Sequence, residues 1–374
     1  MLRIHNVKVK LGEKRYAKVI SQYLNVREKE IRNVTLVKQS IDARRQNVHF
    51  ICSFDFQVRD EAQYLRKFPL LQRVQPYQYH YLPSNDQSVM IVGSGPAGLF
   101  CAYVLAMSGQ KVTVIERGQE IEKREKAVAD LLENGCLHCE SNIAFGEGGA
   151  GTFSDGKLTT GIKNERIRYI LETFVQFGAP EDILYLHKPH IGTDYLRQVI
   201  QNMRQFLIEK GVTFLFETQM IDFKQESDSY HVTVLHHGQT EVMNTDLLVL
   251  AIGHSARDTY ELLYQKGMTL EQKAFAVGVR IEQSQQKINQ IQYKKSASSP
   301  YLKAAAYKLA VQSGKRGVYT FCMCPGGYVV PSQHEDGTLC VNGMSYYARD
   351  GQNANSAILV TVSTDDFDSS HPLA

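Results

Sequence analysis

Apolar and polar positions follow short, distinct patterns at the start of the chain. Residues 4–9 alternate apolar and polar side chains, as a half-buried strand does, and residues 34–39 and 48–56 are further strand candidates. Between them, the apolar side chains of residues 16–24 fall at the spacing of an amphipathic helix. The pattern predicts a small α+β domain over residues 1–75.

A polar stretch that contains two prolines separates this domain from the rest, and we interpret residues 76–87 as a linker. Beyond it, the apolar run 89–92 leads into a glycine-rich turn, and residues 101–106 are good helix formers. Residues 111–115 then form a second apolar strand. The order strand, turn, helix, strand predicts the start of a parallel α/β sheet.

The middle of the chain mixes helices with strands and then changes to short strands alone. Helices are predicted over about residues 119–133 and 195–210. Three short strands between residues 219 and 245 indicate a β-meander, and residues 246–253 indicate a buried strand that returns the chain to the parallel sheet. The pattern predicts a Rossmann-like domain with a β-meander over residues 88–267.

The last part of the chain is rich in strand candidates, among them residues 275–282, 318–331 and 339–344. The middle candidate divides into two strands at a Pro-Gly-Gly turn, which indicates antiparallel pairing. We predict a β-rich substrate domain over residues 268–374. The predicted fold class is therefore α/β, with a Rossmann-like domain, a β-meander, a β-rich substrate domain and a small α+β N-terminal domain.

Composition narrows the class of protein. Of the 374 residues, 43% are hydrophobic and 22% are charged, as in an ordinary globular protein. The first residues lack the apolar core of a secretory signal, and no uncharged apolar run approaches the length of a membrane span. The seven cysteines are scattered and odd in number, which favours a reducing compartment. We expect a cytoplasmic protein with no membrane partner.

Charge is unevenly distributed along the chain. Residues 1–75 hold sixteen Lys and Arg against seven Asp and Glu, a net charge of +9, whereas the remainder carries −6 from 26 basic and 32 acidic residues. A basic domain on an acidic body can bind an anionic partner such as RNA. No RNA-binding signature accompanies the charge, so we prefer a solvated basic surface and keep nucleic acid as an alternative partner of residues 1–75.

The first turn of the parallel sheet has the spacing G-x-G-x-x-G, formed by Gly93, Gly95 and Gly98. In order, these glycines allow a sharp turn off the strand, backbone approach to a pyrophosphate, and close packing of the helix on the strand. The helix that begins near Pro96 directs free N–H groups at the phosphates. Glu116 ends the second strand eighteen residues past Gly98, at the right reach for ribose hydroxyls. This context favours a dinucleotide site over a βα unit without a ligand.

A second glycine-rich segment covers residues 145–158 and has five glycines within eleven residues. So many glycines argue against an ordinary helix or strand. Such a loop can present successive N–H groups to an anion or an electron-rich ring. The alternative is a flexible surface loop, but the position soon after the G-x-G-x-x-G turn favours a functional role.

These motifs resemble those of a known family. Residues 114–118 look like the FAD-binding start of glutathione-reductase-type flavoproteins. Residues 146–158, 251–258, 320–327 and 342–345 resemble the motifs of the uncharacterised FAD-dependent dehydrogenase family. That resemblance spans nearly the whole chain, including the small leading domain. It implies FAD and redox chemistry and leaves the substrate open.

The resemblance also implies which residues bind the cofactor. The first glycine turn would hold the pyrophosphate, Glu116 the adenosine ribose, and Arg117 or Arg124 would neutralise phosphate charge. The backbone near Met220 would meet adenine, Gly253 would allow close approach of the dinucleotide, and the second glycine-rich loop would face the flavin. The predicted cofactor-binding residues are Gly93, Gly95, Pro96, Ala97, Gly98, Glu116, Arg117, Arg124, Gly148, Gly149, Gly151, Thr152, Asp155, Met220 and Gly253.

No catalytic residue and no metal site is assigned from the sequence. Lys157 and the pair Cys322 and Cys324 are catalytic candidates, but a surface lysine and two buried thiols are the preferred interpretation. Cys136 and Cys139 form a C-x-x-C, which we interpret as a coincidence because the sequence has no second C-x-x-C.

The expected function is that of an FAD-dependent oxidoreductase that acts on a small-molecule substrate, with NAD(P)H left open as the electron donor. An NAD-type dehydrogenase is one alternative, and an RNA-associated flavoprotein that uses residues 1–75 is another. Members of the resembled family carry a late glycine-rich segment that closes the FAD site. The sequence ends at Ala374 without this segment, so we expect a chain that is shortened at its C-terminus relative to members of that family.

Overall fold

A computed structural model describes residues 1–373, and Ala374, the last residue of the predicted β-rich domain, lies outside them. Within this range the strands form five sheets. The first sheet is antiparallel with the order β2-β3-β1-β4. The elements of this part are β1 (Leu2–Val9), α1 (Tyr16–Leu24), β2 (Arg32–Asp42), β3 (His49–Gln57), α2 (Glu61–Lys67) and β4 (Gln72–Arg73).

The predicted alternation in β1 holds, but it changes phase once. Leu2 and Ile4 are fully buried before a bulge, and Val7 is fully buried after it. Asn6 forms the bulge with a φ of +59°, a conformation that asparagine tolerates better than most residues. The extra residue keeps the apolar side chains on one face, where they pack against β3 and α1.

The second sheet is parallel, with the order β11-β5-β6-β7. Its strands are β5 (Ser88–Val92), β6 (Lys111–Ile115), β7 (Thr213–Leu215) and β11 (Leu247–Leu250). The helices that connect the strands are α3 (Pro96–Met107), α4 (Ile121–Asn134), α5 (Arg166–Gln176) and α6 (Thr193–Glu209). Apolar side chains of β5, β6, α3 and α6 form the largest buried cluster, with Ile91 and Val114 at 0% exposure. Parallel strands buried on both faces have such continuous apolar runs.

A three-stranded antiparallel meander lies against the parallel sheet. Its strands are β8 (Thr218–Glu226), β9 (Ser229–His236) and β10 (Gln239–Thr245). Met220 and Val232 of the meander share a buried cluster with Met90 and Ile115 of the parallel sheet. The predicted fold class, α/β with a parallel sheet, a meander and further antiparallel sheets, is confirmed.

The last part of the molecule is built on a four-stranded antiparallel sheet with the order β12-β17-β14-β13 and a two-stranded sheet of β15 and β16. Its elements are α7 (Arg257–Gln265), β12 (Phe275–Ser284), α8 (Gln285–Tyr293), β13 (Ala310–Ser313), β14 (Arg316–Cys324), β15 (Tyr328–Pro331), β16 (Val341–Met344) and β17 (Asn353–Val362). The sequence pattern missed α2, α5, α7, α8, β4, β13 and β17. The boundaries of the three domains, at residues 75, 88 and 268, remain a proposal.

Across residues 1–373, none of the helices combines the length and the apolar character that crossing a membrane requires.

Candidate functional site

A cavity of about 570 Å³ opens at the carboxyl ends of the parallel strands. Its wall is formed by the turns after β5 and β6, the loop that follows α4, the start of β8, and the residues after β11. This edge is where open α/β sheets bind their ligands. Ten of the predicted residues line the cavity: Gly93, Gly95, Pro96, Ala97, Glu116, Arg117, Gly149, Gly151, Met220 and Gly253.

The first and third glycines of the turn after β5 are required by the fold itself. Gly93 has a φ of +104°, and a Cβ atom there would lie 2.5 Å from the carbonyl oxygen of Ala251. A Cβ atom at Gly98 would overlap the carbonyl oxygen of Gly93. Gly98 therefore lies behind the cavity wall, where it lets α3 pack closely on β5.

Gly95 is different, because no protein neighbour requires a glycine there. Its φ is −67°, which any residue adopts, and the nearest heavy atom to a Cβ at this position would be the Cα of Gly149 at 3.9 Å. A Cβ atom at Gly95 would instead occupy space at the cavity wall. The main chain is thus left bare on the cavity side, as close approach of a ligand requires.

The start of α3 supplies donors to the same place. Pro96 is the first helical residue, and the N–H of Leu99 donates to the carbonyl oxygen of Gly95 at 2.9 Å. The N–H groups of Ala97 and Gly98 precede this first helical bond, so they have no partner within the helix. Free N–H groups at a helix N-terminus stabilise phosphate groups. The bare glycine and these donors together fit the diphosphate of a dinucleotide.

Glu116 fixes the glycine turn while it lines the cavity. Its carboxylate is 6% exposed and accepts hydrogen bonds from the N–H and hydroxyl of Ser94 at 2.9 and 2.8 Å. It also accepts from the N–H groups of Gly118 and Gly146 at 2.9 and 3.2 Å. These four bonds hold the two loops together at the end of β6. The predicted contact with ribose hydroxyls remains a prediction.

Arg117 lines the cavity beside Glu116 but already has two acidic partners. Its guanidinium group pairs with Glu140 and lies 2.9 Å from Asp258. The group also stacks over the ring of Phe145, 4.5 Å from the ring centre. A bound phosphate would therefore compete with two carboxylates for this charge.

Arg124 does not lie where the sequence placed it. The side chain is fully buried, outside the cavity wall formed by residues 1–373. Its guanidinium group donates to the carbonyl oxygens of Asn142, Ile143, Gly146 and Glu147, with 2.8 Å to Asn142 and 3.0 Å to Ile143. Burial lowers the pKa of Arg124 to about 10, so the group stays charged at neutral pH. It anchors the second glycine-rich loop from behind and does not reach a phosphate in the cavity.

The second glycine-rich loop reaches the cavity through Gly149 and Gly151, but Gly148 and Thr152 lie behind them. The N–H of Gly148 donates to the carbonyl oxygen of Ser94 at 2.9 Å, which joins the two glycine turns. Thr152 is fully buried, and its carbonyl oxygen accepts from the Thr193 hydroxyl at 2.7 Å. These two residues shape the loop and do not present groups to the cavity.

Asp155 also lies away from the cavity, in an ionic cluster with the β-rich part of the molecule. Its carboxylate is 1% exposed and pairs with Lys157 at 2.8 Å and with Arg349 at 2.6 Å. The Ser345 hydroxyl donates to the same carboxylate. Burial raises the pKa of Asp155, but the two cations outweigh it and lower the pKa to about 2. Asp155 therefore fastens the loop to the residues that follow strand β16, and it does not line the cavity. Its predicted contact with the cofactor remains a prediction.

Sequence reasoning missed several residues of the site. Glu147 is fully buried below the loop, accepts from the N–H of Ile121 at 2.9 Å and lies 3.1 Å from Arg204. Burial raises the pKa of Glu147 to about 7. Phe145, at the start of the second glycine-rich segment, and Tyr260 of α7 also line the cavity. Helix α7 reaches the cavity only in the folded chain, so no local sequence signal identifies Tyr260.

Family comparisons agree with this architecture. A family model of an FAD-binding domain matches residues 86–137, which include the first glycine turn and Glu116. A model described as the C-terminal domain of FAD-dependent proteins matches residues 274–374. A domain of unknown function matches residues 1–57.

Two curated proteins show different extents of similarity. An uncharacterized protein of Clostridium beijerinckii is 42% identical over 390 residues, which cover 100% of this chain and 71% of that protein. Squalene monooxygenase SE1 of Panax ginseng is 35% identical over 108 residues, which cover 25% of this chain and 19% of that protein.

Solved structures match at lower identity. The flavin-dependent halogenase CmlS is 14% identical, with a TM-score of 0.38 over 74% of this chain and 42% of that chain. A flavoprotein/dehydrogenase from Cytophaga hutchinsonii is 10% identical, with a TM-score of 0.37 over 75% of this chain and 58% of that chain. This chain thus spans about half the length of these two proteins.

The fold and the family matches define the class: an α/β protein in which residues 86–137 match an FAD-binding domain and residues 274–374 match the C-terminal domain of FAD-dependent proteins. It belongs to the same family as the uncharacterized protein of Clostridium beijerinckii. The predicted FAD-dependent class is confirmed in this general form. The narrower likeness to glutathione-reductase-type flavoproteins remains a prediction.

Proposed function

We propose that this protein is an FAD-dependent oxidoreductase of a small-molecule substrate, and that its glycine turn at residues 93–98 seats the FAD diphosphate. The observation that carries the proposal is the bare main chain at Gly95. A Cβ atom there would meet no protein atom closer than the Cα of Gly149 at 3.9 Å, yet the position is glycine and lines the cavity. Close approach of a phosphate explains this glycine, whereas the fold alone does not.

The chain's own contribution is to hold and orient the cofactor. The free N–H groups at the start of α3 would donate to the diphosphate, and the cavity wall near Met220 would receive the adenine. Glu116 joins the two glycine loops through its bonds to Ser94 and Gly146, and Arg124 anchors the second loop through the carbonyl oxygens of residues 142–147. FAD, when bound, supplies the two-electron chemistry, and the protein supplies position and electrostatics.

The substrate side of the proposal concerns the β-rich part of the molecule. Asp155 ties the loop of the cofactor cavity to Arg349 and Ser345 of that part. We therefore propose that residues 268–374 carry the substrate surface and that the loop joins this surface to the cofactor. NAD(P)H as the donor of electrons stays part of this proposal without a residue assigned to it.

Titration of the purified protein tests the cofactor. FAD is added at increasing concentration, binding is followed by the change in flavin fluorescence, and NAD is then added as a competitor. We expect saturable binding of one FAD per chain that NAD does not displace. Binding of NAD with no saturable binding of FAD would favour the NAD-type dehydrogenase and would contradict the proposal.

A further inference from the structure

Lys157 brings two cysteines together at the edge of the β-rich part. Its ammonium nitrogen lies 3.2 Å from the Sγ of Cys324 and 3.5 Å from the Sγ of Cys322. The same nitrogen lies 2.8 Å from the carboxylate of Asp155. The side chain is 29% exposed, so it is neither a free surface lysine nor a buried one. A single cation therefore contacts both sulfurs of a C-x-C sequence.

Strand β14 is irregular where the cysteines lie. Phe321 pairs with Ala357 and Cys324 pairs with Asn355, so β14 has one residue more than β17 between these two pairs. Cys322 has a φ of +45°, in the left-handed region that residues other than glycine seldom adopt. Strained backbone of this kind clusters at functional sites. The bulge bends the strand at the point where both sulfurs reach the ammonium group.

The two thiols have different surroundings. Cys324 is fully buried, and a Cβ atom at Gly343 would lie 2.8 Å from its Sγ, so that glycine leaves room for the sulfur. Cys322 is partly exposed. The Cys324 thiol donates to the carbonyl oxygen of Cys322 at 3.3 Å. The nearby Cys324 thiol lowers the pKa of Cys322, burial opposes this, and the charges of Lys157 and Arg280 lower it further. The nearby Cys322 thiol and burial raise the pKa of Cys324. The pair thus combines a partly exposed cysteine, whose thiolate form is stabilised, with a buried thiol.

We propose that Cys322 and Cys324 are a redox-active dithiol–disulfide pair, with Lys157 holding the thiolate charge, and that the pair exchanges electrons with small organic disulfides and thiols. Cys322, the partly exposed member of the pair, supplies the attacking sulfur, and the buried Cys324 supplies the resolving sulfur. The proposal goes beyond the FAD-dependent function, because the exchange requires no bound flavin.

The exchange takes place in two balanced steps. The Cys322 thiolate attacks one sulfur of a disulfide RSSR, a new S–S bond forms, and the bond between the two R-bearing sulfurs breaks to release RS⁻. The Cys324 thiol then gives its proton to that RS⁻ and attacks the Sγ of Cys322, which releases the second RS⁻. The cysteine pair loses two electrons as it becomes a disulfide, and RSSR gains two as it becomes RSH and RS⁻.

Mass spectrometry tests the cross-link directly. The reduced full chain is treated with 2-hydroxyethyl disulfide, quenched with iodoacetamide and cut with trypsin, so that residues 317–349 form one peptide with three cysteines. We expect this peptide to lose two hydrogens and to carry one alkyl group, on Cys340. We expect Cys324→Ser to trap the mercaptoethanol adduct on Cys322, and Cys322→Ser to form neither product. Three alkylated thiols in the unsubstituted chain would overturn the proposal.

The pH dependence of alkylation tests the thiolate without any substitution. The charged and titratable groups that face Cys322 are Lys157, Arg280 and Cys324, with Asp155 behind Lys157. At pH 6 we expect Cys322 to react with iodoacetamide about tenfold faster than the more exposed Cys340 in the same peptide, because its larger thiolate fraction outweighs its lower nucleophilicity. Equal rates would overturn the proposal.

A matched pair of variants separates the role of the lysine from a structural one. We expect Lys157→Met to lose the tenfold difference and Lys157→Arg to retain most of it. Because Lys157→Met also removes an ion pair of Asp155, both variants are compared under conditions in which urea unfolding shows each of them folded. Equal loss in both variants would overturn the role of the ammonium charge. FAD content is measured in the same samples, so a failure of flavin binding and a failure of thiol exchange give separate results.

Discussion

The role proposed for Gly95 is in binding and not in folding, and the substitution Gly95→Ala separates the two. The φ of Gly95 is −67°, and the new methyl group would lie 3.9 Å from its nearest protein neighbour, so it would clash with no protein atom. Alanine loses less backbone entropy than glycine, which stabilises by about 0.4–1 kcal/mol. Alanine is also a poorer N-cap for α3, at a cost of up to about 1 kcal/mol. We therefore expect the free energy of unfolding to change by less than about 1 kcal/mol.

The effect on binding should be larger than the effect on folding. The methyl group would occupy the space of a phosphate oxygen, and overpacking of this kind costs about 1–3 kcal/mol. We expect FAD to bind Gly95→Ala about 5- to 150-fold more weakly than the unsubstituted chain. Flavin fluorescence titration gives the affinity, and urea unfolding gives the stability.

The matched control is Gly98→Ala, because its Cβ atom would overlap the carbonyl oxygen of Gly93. We expect this variant to lose about 3 kcal/mol of stability as well as FAD affinity. Unchanged FAD affinity in Gly95→Ala, or a loss of stability as large as that of Gly98→Ala, would refute the assignment of Gly95 to the diphosphate.

Three further variants test the supports of the site by urea unfolding. Arg124→Gln leaves buried carbonyl oxygens without their donors, so it should lower the free energy of unfolding by about 3–5 kcal/mol and weaken FAD binding. A loss below about 1 kcal/mol would contradict the anchoring role of Arg124. The pKa of Glu147 is raised from 4.5 to about 7, so the unfolded chain loses this proton at a lower pH than the folded chain. The free energy of unfolding should therefore fall by about 3 kcal/mol as the pH rises between these two values, and Glu147→Gln should abolish the fall. The pKa of Asp155 is about 2, against 3.8 for an unperturbed carboxyl, so its ion pairs stabilise the fold above pH 3.8 and this stabilisation is lost as the pH falls through 2. Asp155→Asn should lower the free energy of unfolding at pH 7 by about 3 kcal/mol, and an unchanged free energy would contradict the role of the ionic cluster.

Much of the fold could be predicted from local patterns. The apolar runs of β5 and β6, with glycines between them, specify a strand–turn–helix–strand unit through steric rules that act over a few residues. The sequence pattern did not identify strand β17, although residues 356–360 at its centre are mostly apolar. Its ten residues pair with β12 on one side and β14 on the other, so its place depends on partners distant in the sequence.

The site was predictable only where backbone geometry alone decides it. Gly93, Gly95 and Gly98 are recognisable because spacing determines their roles. Arg124 was misplaced because nothing in the sequence shows that α4 turns its side chain inward, toward the carbonyl oxygens of the loop. The contact of Lys157 with the two cysteines joins positions 165 and 167 residues apart, which no local spacing reveals.

A crystal structure of the protein grown with FAD would show where the diphosphate binds. We expect diphosphate density within hydrogen-bond distance of the N–H groups of Ala97 and Gly98, beside the Cα of Gly95. We also expect adenosine density between Glu116 and Met220. FAD bound with its diphosphate away from this turn would contradict the proposed cofactor site.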